Sequence, residues 1–240
     1  MPPQDLRVRG HLKLWGGPPG MSTAWLFDAL GERYDRWYER HKLLAVLEAT
    51  LVSRMVSKGS RPLVEVGVGT GFFASRVGAE AGIDPSMSML GIARERMPSS
   101  LLVAGRGERL PLRSSSFGTV LIVVTLCFVD DPGEVLRESW RILKPRGSLV
   151  SCIVPGDSSW GRWYRKLGKE GHPFYSHARF LDRGEHLSLI EDAGFRVVEE
   201  LGVLSFPPWG EPRLEEPRPW NGDLGFICVR ALKSLKGPKR

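Results

Sequence analysis

The residues whose types and spacing could do chemistry begin with Glu65-Val66-Gly67-Val68-Gly69-Thr70-Gly71, directly after the apolar pair Leu63-Val64. A strand that empties into glycines at every second position can turn sharply and bring its backbone against a ligand, because no Cβ stands in the way. The spacing is not the dinucleotide fingerprint G-x-G-x-x-G, since Phe72 occupies the place of its last glycine. Nor does a Lys-Ser or Lys-Thr pair follow, as a phosphate-binding P-loop requires. The second group is Asp84, in Gly82-Ile83-Asp84-Pro85-Ser86, at the end of another short apolar run. From the tip of a neighbouring strand, a carboxylate can accept hydrogen bonds from both hydroxyls of a ribose. Taken alone, Asp84 could equally belong to the N-cap of the next helix, a role for which Ser86 competes. Beside the glycine turn, the ribose role is the better reading.

These groups need a scaffold, and the flanking pattern supplies one. Leu63–Val66 reads as a short strand, and a helix is predicted to begin near Phe72. A second strand closes at Ile83, with a helix opening at Ser86. Leu101–Ala104 is a third strand, and Val120–Val124, apolar and mostly β-branched, reads as a fourth that is buried on both faces. The next helix carries Leu136, Trp140 and Leu143 on one face and ends before Pro145, and Leu149–Val154 is the fifth strand. This alternation predicts a parallel sheet with helices on both sides. A helix over 185–193 and strands over 196–204 and 224–232 bring the sheet to seven strands. The last is expected to be antiparallel, because no crossover helix of sufficient length precedes it. Upstream lie an aromatic stretch from Trp25 to Tyr38 and a helix with Leu43, Leu47, Leu51 and Met55 at every fourth position, stopped by Gly59.

Five segments in this order, Glu65-x-Gly67-x-Gly69-x-Gly71, Gly82-Ile83-Asp84-Pro85-Ser86, Gly107-Glu108-Arg109-Leu110-Pro111, Ser116-Phe117-x-x-Val120 and Arg141-Ile142-Leu143-Lys144-Pro145-x-Gly147, carry a family resemblance. The chain resembles the class I S-adenosylmethionine-dependent methyltransferases, and most of all the subgroup of the ubiquinone and menaquinone biosynthesis methyltransferases. The resemblance implies an α/β fold: a Rossmann-like, mostly parallel seven-stranded sheet with helices on both faces and an antiparallel C-terminal strand. It also implies S-adenosylmethionine as methyl donor, with S-adenosylhomocysteine as product. Glu65 and the backbone at Gly67, Gly69 and Gly71 would then contact the amino acid part of the cofactor. Asp84, followed by Pro85, would hold the ribose, and Gly107 and Glu108 would border the adenine. Thr125 would lie beside the methionine moiety, with Cys127 and Phe128 near the methyl and Tyr34 on a lid. Two departures stand out: Arg106 where the family often has an acidic residue, and Gly118 in place of a frequent aspartate. The implied organisation is a flexible leader at 1–23 and one methyltransferase domain over 24–240. Within that domain, 24–60 forms the N-terminal lid and helix, and 155–183 forms a substrate-side insert. Met21 is a candidate native start.

In such a reaction the methyl is already activated on a sulfonium, so the protein supplies position; in-line placement of a nucleophile can be worth ~7–11 kcal/mol. A general base is needed only for a nucleophile protonated at working pH, and no residue of the chain must be one. The candidates are His177 and Tyr175 in the insert, with His172 nearby. Tyr34, Trp37, Tyr38, Trp160, Trp163, Tyr164, Phe174 and Phe180 could close over the site. An aromatic face stabilises a nearby sulfonium by ~0.5–2 kcal/mol, although the same residues could simply pack over the sheet.

Composition narrows the classes further. Hydrophobic residues make up 42% and charged residues 25%, ordinary values for a globular domain. No apolar run reaches the ~18 residues of a membrane span, and no secretion signal is evident, so a cytoplasmic location is expected. Cys127, Cys152 and Cys228 form no C-x-x-C pair, so neither a disulfide framework nor a metal site is expected. The net charge of +7 is spread along the chain, with a cluster only at Lys233, Lys236, Lys239 and Arg240. It reads as a solvated surface rather than a nucleic-acid footprint. The enclosing aromatic insert favours a small-molecule acceptor. The rivals are an RNA methyltransferase, whose binding would fall steeply with salt, and a non-catalytic protein that keeps the fold and binds S-adenosylmethionine.

Overall fold

The computed structural model describes residues 23–235 and 237–239. The expected leader, apart from Thr23, and the candidate start at Met21 lie outside them. The aromatic stretch forms helix α1 (Ala24–Arg40), and the leucine-periodic stretch forms α2 (Lys42–Val56). The alternating region then runs β1 (Leu63–Val66), α3 (Phe72–Val77), β2 (Ala81–Asp84), α4 (Met87–Arg96) and β3 (Leu101–Ala104). It continues with β4 (Phe117–Val123), α5 (Pro132–Ile142), β5 (Leu143–Ile153), α6 (Ser159–Lys169), α7 (Arg183–Asp192), β6 (Phe195–Val203) and β7 (Phe226–Lys233).

The seven strands form one sheet in the order β3-β2-β1-β4-β5-β7-β6. β1 to β5 pair in parallel, and β7 is antiparallel to both β5 and β6, as expected. Successive strand residues point to opposite faces. Leu63, Leu121, Val123 and Val150 therefore join the core beneath α2, α3 and α6, and Val64, Val120, Ile122 and Leu149 join the core beneath α5 and α7. Because the strand order reverses between β1 and β4, a crevice opens at their carboxyl ends, where the glycine turn lies.

Local chemistry sets the helix starts. The Ser86 side chain caps α4 by accepting from Met89 N at 3.1 Å. Asp131 caps α5, whose first residue is Pro132, already held at a helical φ.

Two expectations are corrected, and the insert gains a definite structure. Leu143 belongs to β5, not to the preceding helix: it pairs with Phe117 across a register shift, so the strand starts earlier than Leu149. The insert at 155–183 contains a capped helix, α6, and a 3-10 turn at Tyr175–His177. Its apolar positions Trp160, Tyr164 and Leu167 recur at helical spacing and face the core. Cys152 and Cys228 form a disulfide, contrary to the expectation of free thiols. The antiparallel register sets them directly opposite each other across β5 and β7, 76 residues apart in sequence, a pairing no local spacing reveals. Cys127 is free and buried. Among the described residues no helix is long and apolar enough to cross a membrane.

Candidate active site

The glycine turn is tied to the adjacent strand, with Gly67 N and Val68 N both donating to Ile83 O at 2.8 and 2.9 Å. Gly67, Gly69 and Gly71 all have positive φ, 75°, 52° and 76°, where a side chain is strained. They differ in what surrounds them. A Cβ on Gly67 would sit 2.3 Å from the Thr125 side chain, and one on Gly71 would meet Met97 and Ala93. Gly69 has open space, facing the cleft. Gly71 thus lets α3 pack on α4, while Gly67 and Gly69 line the cleft itself.

Asp84, 8% exposed, accepts from Gly69 N at 2.8 Å and Ser86 N at 2.9 Å. With Ser86 capping α4, the choice between cap and site residue resolves: Asp84 holds the glycine turn and lines the cleft with Pro85. A carboxylate has about four lone-pair sites, so acceptor capacity remains for a ligand. Burial raises the Asp84 carboxyl to about 6 against the opposing pull of the two N–H donors. Glu65 lies beneath the turn, 1% exposed, and its Oε2 has no partner among the described residues. Burial holds its carboxyl well above the usual range. It supports the floor of the cleft rather than lining it.

At the far end of the cleft, Gly107 and Glu108 are joined by Arg106 and Asp130. The Arg106 guanidinium bridges Glu108, at 3.1 Å, and Asp130. Glu108 also accepts from Asp130 N at 3.0 Å. The unexpected arginine is therefore neutralised by the two carboxylates, and the three side chains together carry one net negative charge at this edge of the cleft. Gly118 lies at the opposite end of β4, where a Cβ would be 2.5 Å from Ser60 O. It admits a close backbone approach remote from the cleft.

α1 roofs the cleft with Phe27 and Tyr34. The helix is latched at three points. Thr23 Oγ1 donates to Phe128 O at 2.8 Å. Asp28 accepts from Ser86 Oγ at 2.5 Å and Ser88 N at 3.2 Å. Asp35 takes a forked pair of bonds from Arg96 at 2.6 and 2.5 Å and a bond from Thr70 Oγ1 at 2.7 Å.

Tyr34, Val124 and Phe128 also line a second cavity, of about 120 Å³, on the α2 and α6 side. Val124 has φ 50°, a left-handed conformation that is costly for a β-branched residue and that clusters at functional sites. The cavity is walled by Tyr38, Cys127, Tyr164, His172, Phe174, Tyr175 and Phe180, and by Glu48 from α2. Tyr164 and Tyr175 stack with ring centres 4.3 Å apart, and His172 stacks on Tyr175. His177 lines neither cavity; it is exposed and packs edge-on against Trp25.

The structure therefore gathers Gly67, Gly69, Asp84, Pro85, Gly107, Glu108, Thr125, Phe128 and Tyr34 around one cleft, and Cys127 and Tyr175 around its neighbour. Sequence reasoning missed Phe27, Met89, Asp130 and, above all, Glu48. The available signal for Glu48 was an acidic residue four positions after Leu44 on the buried face of α2.

Comparison with known proteins shows the family. A family model described as "Methyltransferase domain" matches residues 64–151. An S-adenosylmethionine-dependent methyltransferase from Thermotoga maritima, named as a "possible histamine N-methyltransferase", superposes with a TM-score of 0.82 at 34% identity, covering 88% of this chain and 100% of that one. An uncharacterised protein of Mycobacterium tuberculosis is 36% identical over 212 residues, 86% of this chain and 73% of the relative. The demethylmenaquinone methyltransferase of Streptomyces griseus is 32% identical over 140 residues, 54% of this chain and 59% of that protein. The matched motifs, the strand order and the full-length structural relative together place this chain in the S-adenosylmethionine-dependent methyltransferase family.

Proposed function

We propose that this enzyme transfers a methyl group from S-adenosylmethionine to a small-molecule acceptor, with the cofactor in the cleft at the β1–β4 crevice and the acceptor in the adjoining aromatic cavity. The carrying observation is that the two spaces share the wall formed by Tyr34, Val124 and Phe128. A donor and an acceptor in adjacent chambers meet at that wall. The second chamber is lined mostly by residues of α1 and the 155–183 insert, with Glu48 from α2 and Val124, Cys127 and Phe128 from the loop after β4, which suits a compact acceptor.

The residues fit the cofactor on structural grounds. Gly69 faces open space, Asp84 keeps acceptor capacity for ribose hydroxyls, and Tyr34 and Phe128 offer aromatic faces where a sulfonium would lie. Gly107 and Glu108 would border the adenine, with Asp130 adding an acceptor that compensates for Arg106. Gly67 and Gly69, with Glu65 supporting the turn from beneath, would hold the amino acid end, Thr125 would stand beside it, and Cys127 would approach the methyl from the acceptor side. When bound, S-adenosylmethionine supplies a methyl on a sulfonium leaving group. The protein's part is to orient, to exclude water under α1 and to fix the line of approach. In this reading 24–60 is the lid and its supporting helix, and 155–183 forms the acceptor side.

Calorimetry with S-adenosylmethionine and S-adenosylhomocysteine tests the cofactor site. Asp84→Ala removes a carboxylate that both shapes the turn and would bind ribose, so affinity should fall roughly 10–100-fold, the scale of hydrogen bonds to a charged group. Equal affinity in wild type and variant would refute the assignment.

A further inference from the structure

Deepening that reading, and resting on it, one group in the aromatic cavity is left unexplained. Glu48 is 6% exposed, lines the cavity and has no hydrogen bond or ion pair among the described residues. Its tyrosine neighbours do not satisfy it. The Tyr34 and Tyr38 hydroxyls pair with each other at 3.3 Å, and the Tyr164 and Tyr175 rings stack on each other. An unpartnered carboxyl in an apolar site is costly, and it is a buried acceptor for a donor that the protein does not itself provide. Aromatic faces around it favour a cation.

We propose that the cavity takes a small amine, seated with its nitrogen on the Glu48 carboxyl among the four tyrosines, and that this nitrogen receives the methyl. The amine and the carboxyl satisfy each other whichever of them holds the proton, and the pair adds no net charge to the buried space. Arg33 and Arg40 stand at the mouth but are solvent-exposed and make no ion pair with Glu48. They are screened from it and leave the interior without a cation of its own.

The step balances. An amine bound as an ammonium passes one proton to the Glu48 carboxylate, which frees its lone pair. That pair forms the new N–C bond as the C–S bond breaks, and the C–S electrons remain on sulfur as a neutral thioether. The product leaves as its methylated ammonium, and Glu48 gives up the proton it took to solvent once the cavity is vacated, so one proton is released per turnover. Glu48 suits the proton better than His172, since burial raises the carboxyl to about 8 and lowers the imidazole to about 4.

The test uses the full chain saturated with S-adenosylhomocysteine and titrated by calorimetry. The probes are 2-phenylethylamine, tyramine and histamine, with 2-phenylethanol and phenylacetate as shape-matched controls. At least one amine is expected to bind roughly tenfold or more tightly than both controls. Glu48→Gln, close to isosteric, should erase that preference while S-adenosylhomocysteine binding stays unchanged, which also reports that the variant is folded. With S-adenosylmethionine, mass spectrometry should place the methyl on the amine nitrogen.

The proposal is overturned if no probe amine binds, if the alcohol binds as well as the amine, if Glu48→Gln keeps the preference, or if methyl appears on another atom. A folded wild type that binds neither cofactor form overturns the cofactor reading and this proposal together. Cofactor binding without amine selectivity overturns this proposal alone.

Discussion

A buried carboxyl with no partner should leave a signature in stability as well as in binding. Burial raises Glu48 from its ordinary 4.5 to about 8 in the folded protein, whereas in the unfolded chain it titrates normally. The folded state therefore holds the proton more tightly. Stability from this group is complete below about pH 4.5 and is lost as pH rises through about 8. Each pH unit between those values costs about 1.4 kcal/mol, so the full interval costs roughly 5 kcal/mol. Water entering the cavity would lower that figure toward half. Glu48→Gln removes the titration and keeps the shape. Urea unfolding of wild type and variant, run in parallel from pH 5 to pH 9 without cofactor, isolates the effect, because every other titrating group cancels in the difference. The variant should gain stability over wild type by roughly 2–4 kcal/mol between the two ends. A difference that stays constant with pH would refute the argument, since Glu48 would then be ionised or partnered alike in both states.

Two further outcomes are expected. Asp35→Asn breaks the fork from Arg96 that latches α1. Because the pair is partly exposed, at 13% and 31% for its side chains, the loss should be about 1–2 kcal/mol. It would be read as an S-adenosylhomocysteine affinity roughly 5–30-fold weaker with faster dissociation in stopped-flow measurements, and unchanged rates would show that the latch does not hold the roof. For the cysteines, thiol titration in denaturant should find one reactive group, Cys127, before reduction and three after it. Reduction should lower the unfolding free energy by at most about 4.5 kcal/mol, for closure of a 76-residue loop, and the denaturation midpoint with it; three thiols before reduction would contradict the bridge.

What the sequence revealed and what it hid follow from the range of the interactions. The glycine turn was legible because positive φ at Gly67 and Gly69 is a local demand that only a few residue types meet. Ser86 could be read as a cap for the same reason: its partner Met89 is three residues on. Asp84 stood out because it ends a short strand, and strand ends carry sites in open α/β sheets. The partners of long-range pairs were hidden. Cys152 meets Cys228 only through the antiparallel register of two strands, and Arg106 meets Asp130 only once the loop after β4 folds back. Leu143 fits a helical face as well as a strand, and its pairing with Phe117 decides. Glu48 sat in plain view on a leucine-rich helix, where the regular apolar spacing masks a single acidic position. His177 drew attention by residue type, and the structure directs it to solvent beside Trp25.

The roof of the cleft has a thermodynamic consequence. Phe27 and Tyr34 ride on one helix, and Tyr34 touches both chambers. In the proposed function α1 would be one roof that two ligands read. A ligand seated in either chamber would pack on Tyr34 and favour the seated helix, and by reciprocity it would raise the other's affinity by the same factor. Donor and acceptor would thus be coupled through the position of one element as well as through the wall where they meet.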